Sequence, residues 1–199
     1  MAYPTVSAPY GLIPINLIGG QVFAGATRQI PVASGYGTSI FFGDVVKLAD
    51  TGTLVKDTGT STATPVGVFL GCSFTDPVFG KTFRQYLPAN TVATDIVAYV
   101  CDDPDTLFKV AVVSSGTTIG YVNRTAVGNN SALVQNAGNT TNGNSRVAIS
   151  ATTATTNTLP VRIIDVVPET AQAANPGNYT EVIVKWNFGM HQYENATGV

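Results

Sequence analysis

The side chains that could do chemistry are few and far apart. The chain has one histidine, His191, flanked by Met190 and Gln192 close to the C-terminus. A Ser-His-Asp triad would have to use it, but no Gly-x-Ser-x-Gly elbow precedes it, and a chain end is a poor place to hold a base in position. Zinc sites need Cys/His clusters, and Cys72, Cys101 and His191 do not form one. Asp102, Asp103 and Asp105 are the densest acidic group, and three carboxylates could hold a calcium ion. The glycine and glutamate of a calcium-binding loop are missing, and Asp-Asp-Pro-Asp reads more simply as a turn. Gly35-Tyr36-Gly37 lacks the third glycine of a dinucleotide loop, and no Gly-Lys-Ser/Thr is present. A distant pair of carboxylates would suit glycoside hydrolysis. With 12 acidic residues and none in a recognisable motif, no such pair is assigned. The sequence therefore predicts no catalytic residue, no cofactor and no metal.

The composition gives the reason. Of 199 residues only 11% are charged, against about 25% in an average domain. Apolar residues make up an ordinary 44%, and the place of the charge is taken by 27 Thr, 14 Asn and 20 Gly. A net charge of −2 with this apolar content is unlike a disordered chain. Five Lys and five Arg, scattered singly, form no basic stripe for nucleic acid. Three Glu and five Lys are too few for a helical bundle. No stretch approaches the roughly 20 apolar residues of a spanning helix, and residues 1–20 lack the basic start of a signal peptide. The two cysteines read as buried free thiols on strands, or as one bridge if those strands are neighbours.

The elements that would carry these residues are strands. Residues 39–48, 65–74, 81–87, 95–101, 106–113, 146–150, 159–167 and 179–186 are β-branched or aromatic runs bounded by turn signals. The Asp102-Asp105 turn between two of them suits a hairpin. Val182, Val184 and Trp186 share one face of the last strand, opposite Glu181 and Lys185, which predicts one wet side. No window of eleven residues has a helical period. Ser131–Gln135 and Glu169–Ala174 are short helical candidates. Phe41, Phe42, Phe69, Phe74, Phe79 and Phe83 lie in strand-like runs and are assigned to the core. The predicted fold is all-β: a barrel or sandwich, "β-tulip"-like, with few or no helices.

Three segments depart from that pattern. Pro4, Pro9 and Pro14 punctuate residues 1–27, which predicts an extended N-terminal arm laid on its own body or on a neighbour. Its candidate partner contacts are Tyr3, Pro4, Tyr10, Leu12, Ile13, Ile15, Leu17 and Phe23. A single β domain is expected over 28–187, with a long Asn/Thr/Gly-rich excursion at about 128–158. Residues 188–199 form a C-terminal tail, a second candidate arm.

Three stretches carry a resemblance. Gly35-Tyr36-x-Thr38-x-Ile40-x-x-Gly43-Asp44-Val45-Val46, the run Val100 to Val110 through Asp-Asp-Pro-Asp, and Thr158 to Ile164 with Asn178-Tyr179-Thr180 and Asn187 to Gln192 occur in one order. Together they span most of residues 11–192, and they resemble a group of tailed-bacteriophage head proteins. The resemblance implies a capsid decoration, or cement, protein with no enzymatic activity. Such a protein sits on the outer surface of the virion and bridges major capsid protein subunits. It forms a homotrimer or a dimer, and is made in the cytoplasm of the bacterial host. On this reading residues 1–24 bind the head, and deleting them should leave a folded β domain. The alternative is an exposed recognition module on a tail or fibre, binding a host glycan or receptor.

Overall fold

The structure is a computed structural model that describes residues 8–170 and 178–199. It is almost entirely β, as expected, and its strands form two sheets. The first contains β1 (Ile13–Leu17), β8 (Thr106–Ser115), β9 (Thr118–Ile119), β10 (Asn130–Val134), β11 (Ala148–Ala154), β12 (Val161–Val166) and β13 (Glu181–Trp186). Strands β8, β11, β10, β12 and β13 pair in that order, and β13 returns to β8, so the five close into a barrel. The β8–β11 seam is parallel and the other barrel pairings are antiparallel. Closure removes the open edges that would otherwise template aggregation. The second sheet has the order β2 (Arg28–Pro31), β7 (Val97–Cys101), β5 (Gly67–Asp76), β3 (Val45–Leu48), β4 (Leu54–Lys56), with β6 (Gly80–Arg84) also paired to β5. A 3-10 turn, Arg124–Ala126, is capped by the Asn123 side chain.

Two cores follow from this layout. Phe108, Val110, Leu133, Ile149, Val161, Ile163, Val182, Val184 and Trp186 fill the barrel, where the Trp186 ring lies 5.4 Å from that of Phe108. The same core takes Val45, Val68 and Cys101 from the second sheet. The other face of that sheet makes a separate core from Val46, Phe69, Cys72, Phe74, Ala98 and Val100, closed by Ile30, Val32, Ile40, Leu87 and Ile96. Strand β5 is thus covered on both faces over most of its length. Its apolar run is nearly continuous for that reason, rather than alternating.

Several sequence readings are corrected here. Residues 131–135 are not helical: 131–134 lie in β10, because Leu133 is needed in the barrel core. The excursion at 128–158 supplies both β10 and β11, two of the five barrel staves. Its polar residues can line a barrel because each is paired. Asn130 Nδ2 donates to the Thr156 carbonyl at 2.9 Å, its Oδ1 accepts from Arg162, and Ser131 Oγ donates to the Ser150 carbonyl at 2.8 Å. The Asp102–Asp105 turn does not close a hairpin. Strand β7 is already paired on both sides, by β2 and β5, so the chain crosses here from the second sheet to the barrel. The cysteines are free and buried, on neighbouring strands but in different cores. Cys101 faces Val68 and Cys72 faces Ala98 in the β5–β7 register, so no bridge is within reach. Burial pushes the Cys72 thiol up to about 12. The second helical candidate lies largely outside the described residues.

Of the two surfaces considered for the arm, residues 8–17 are laid on the chain's own body. Strand β1 pairs with β8, and Leu12 is fully buried in the barrel core. Gly11 and Gly43 make this passage possible. The Gly11 amide donates to the Val147 carbonyl and the Leu12 amide to the Gly43 carbonyl, with backbones too close for a side chain. Tyr10 covers the end of β13: its hydroxyl donates to Glu181, and Lys109 pairs with the same carboxylate at 3.2 Å. The side of β13 expected to be wet is therefore closed at Glu181.

Candidate functional site

Among the described residues no three His, Cys, Asp or Glu side chains are grouped so as to hold a metal ion. The acidic cluster is absorbed by structure. Asp102 accepts from Arg28 and from the Tyr193 hydroxyl, Asp103 accepts the Asp105 amide at 2.8 Å, and Asp105 pairs with Lys185 at 3.0 Å. His191 is fully buried, and its Nδ1 accepts the Tyr193 amide. These arrangements build turns and fasten segments.

The candidate partner contacts divide into three groups. Tyr3 and Pro4 lie outside the described residues. Leu12 is buried and Tyr10 is tied to Glu181, so neither is on offer to a partner as the chain is folded, which corrects the expectation for Leu12. Ile13, Ile15 and Leu17 are half-buried on β1, and Phe23 packs against the barrel core. The exposed apolar residues of this region are instead Ile18 and Val22, beside the turn that follows β1.

Three exposed apolar residues lie elsewhere, on the β5–β6 hairpin. Val78 is 78% exposed, Phe79 76% and Phe83 71%. The assignment of Phe79 and Phe83 to the core is thus wrong. Asp76 pairs with Gly80 across a three-residue loop, Pro77-Val78-Phe79, and Gly80 has the positive φ of +73° that such a loop requires. Asp76 Oδ1 accepts the Val78 and Phe79 amides at 2.9 and 3.1 Å, and those bonds hold its carboxyl below the usual range. One residue pair below the loop, Asp95 accepts the Thr75 amide at 2.9 Å, the Thr75 hydroxyl at 2.8 Å and the Lys81 ammonium at 3.0 Å. The Thr75 amide, above all, lowers the Asp95 carboxyl to about 2. Phe83 lies over Tyr99 at 6.5 Å between ring centroids, and Arg84 sits 5.6 Å above the Phe74 ring.

The hairpin is therefore a braced element carrying an apolar tip, and only β5 pairs with β6 among the described strands. Bracing matters because a pre-ordered surface loses little conformational entropy when it docks. The sequence did hold a signal for it: Asp76-Pro77 and Gly80 mark a turn, so Val78 and Phe79 had to be at its tip. Phe83 had no such signal, since alternation alone does not say which face of an edge strand is covered. A second apolar exposure joins Ile18 to Phe188 near Trp186 and Ile164, rimmed by Asp105, Arg162, Lys185 and Glu194.

No helix among the described residues is long and apolar enough to cross a membrane. No protein-family model, curated protein or solved structure matches the chain.

Proposed function

We propose that this chain is a structural virion protein that binds the outer surface of a tailed-phage head and stabilises it by bridging major capsid protein subunits. The observation that carries the reading is the braced hairpin whose Val78, Phe79 and Phe83 face solvent. A tip of this kind inserts between partner surfaces, and apolar anchors within a polar rim are what a docking interface uses at its centre. The motif resemblance supplies the identity of the partner. Scarce charge supports the same reading, because Thr, Asn and Gly surfaces lose less hydration free energy on docking than Lys and Glu surfaces do. Copies of the chain would meet one another on the head, as a trimer or a dimer.

The experiment is decoration of heads that lack the protein. Burying a valine or phenylalanine side chain contributes about 1.5–3 kcal/mol. Replacing Val78 and Phe79 together by serine should therefore weaken binding at least a hundredfold, about 2.7 kcal/mol. Folding should be unaffected, since both side chains are exposed. Unchanged affinity of the double variant would refute the hairpin as the docking element. Electron microscopy density at the tail rather than over the capsid faces would replace the reading by the recognition-module one.

A further inference from the structure

The C-terminal segment after Asn187 is docked on the second sheet by contacts that converge on one buried imidazole. Gln192 donates its amide to the Pro65 carbonyl at 2.7 Å and accepts the Leu48 amide on its side-chain oxygen at 2.9 Å. The Tyr193 hydroxyl donates to Asp102 at 3.0 Å, and Arg28, itself paired with Asp102, lies 5.7 Å over the Tyr193 ring. His191 sits beneath these contacts with no exposed surface, its ring 5.1 Å from that of Tyr193.

The hydrogen bonds set its protonation state. Nδ1 accepts the Tyr193 amide at 3.2 Å, so the neutral ring carries its proton on Nε2. Nε2 has no hydrogen-bond partner among the described residues. A second proton would have to go on Nδ1, where it would meet the Tyr193 N–H donor to donor. It would also place a cation where there is no water. The groups facing the ring are Tyr193 and Glu194 from its own segment, Asp102 from the β7–β8 corner with Arg28 bound to it, and the backbone near Val66. The Val66 backbone first, then Glu194 and Asp102, favour the cation. Burial outweighs them and holds the imidazole below its ordinary 6.5.

We infer that residues 188–199 are a pH-operated latch, closed on the second sheet while His191 is neutral and released in mild acid by its protonation. The sign follows from linkage. The released segment binds the proton more tightly than the docked one, so docking is at full strength above the ordinary pKa of 6.5 and weakens as pH falls below it. The opening equilibrium then rises by up to a decade per pH unit until the docked pKa is reached.

Amide hydrogen exchange on the full chain tests this, as protection factors corrected for intrinsic rates at pH 7.5 and 5.0. Protection at Leu48 and Gln192 should fall about tenfold or more, while amides of β8 in the barrel keep theirs. His191→Asn retains an acceptor for the Tyr193 amide and cannot titrate, so its latch protection should be the same at both pH values. Equal protection in the wild type at the two pH values, or an equal fall in His191→Asn, would overturn the latch. If that variant does not fold, direct NMR titration of the wild-type imidazole decides. A depressed midpoint coincident with loss of Leu48 protection supports the latch, and an ordinary midpoint with protection retained refutes it.

Discussion

Asp44 should be the most costly single side chain to remove. It is fully buried where residues 8–12, the second sheet and the 139–147 loop meet. Its Oδ2 accepts the Lys56 ammonium at 2.8 Å and the Phe41 amide at 2.9 Å, and its Oδ1 accepts the Ser145 hydroxyl at 2.6 Å. Asp44→Ala would leave the Lys56 ammonium, whose side chain is only 10% exposed, without a counter-charge. Stranding one member of a buried pair costs about 3–5 kcal/mol. The orphaned Phe41 amide and Ser145 hydroxyl each carry a desolvation penalty of about 1–3 kcal/mol, although neighbouring terms do not simply add. A net loss of about 5 kcal/mol is expected, a large part of the 5–15 kcal/mol stability of an ordinary domain. The assay is equilibrium urea unfolding followed by the fluorescence of Trp186, the chain's one tryptophan, which is buried in the barrel. Adding Lys56→Met to Asp44→Ala removes the stranded charge and should recover about 2 kcal/mol. A loss under about 1 kcal/mol for Asp44→Ala, or a double variant less stable than the single one, would refute the stranded-charge argument.

Two further outcomes are expected. Gly11→Ala should cost about 3 kcal/mol in the same assay, since its Cβ would lie 2.6 Å from the Gly43 carbonyl oxygen at a φ of +86°. Gly20→Ala, with a similar φ of +84° but nothing within 4 Å, should cost only about 1 kcal/mol, and equal costs would show that the close approach is unimportant. The Asp95 carboxyl should titrate near pH 2 by NMR, so the brace it gives the hairpin is complete above the ordinary 3.8 and lost as pH falls through about 2. A midpoint at 3.8 would mean that the Thr75 and Lys81 bonds are not maintained in solution.

The docking of residues 8–17 also changes what truncation can test. Deleting residues 1–24 would remove β1, Tyr10 and the core residue Leu12, so the body should be destabilised along with any binding. That deletion cannot separate attachment from folding, whereas the Val78/Phe79 serine variant can.

Much of the β framework was legible because strand formation leaves a local record. The β-branched runs that became β5, β7, β8, β12 and β13 are bounded by turn residues whose backbone preferences hold without neighbours. The scarcity of titratable groups was legible too, and it limits what chemistry any fold could assemble. Which surface covers which residue was not local. β10 read as a short helix and only the start of β11 as a strand, and only barrel closure supplies the partners that satisfy Asn130 and Ser131. Phe79 and Phe83 have core-like chemistry, but the hairpin projects them where no other element arrives to cover them. His191, near a chain end, is as buried as any core residue because the last segment folds back over Pro65 and Leu48. Local propensity acts over a few residues and can be read from them, whereas burial depends on contacts between residues far apart in the chain. The sequence alone determined that this would be a charge-poor β protein. Only the tertiary structure decided that residues 8–17 are part of the body, that an apolar hairpin is left uncovered, and that one histidine lies beneath the C-terminal segment.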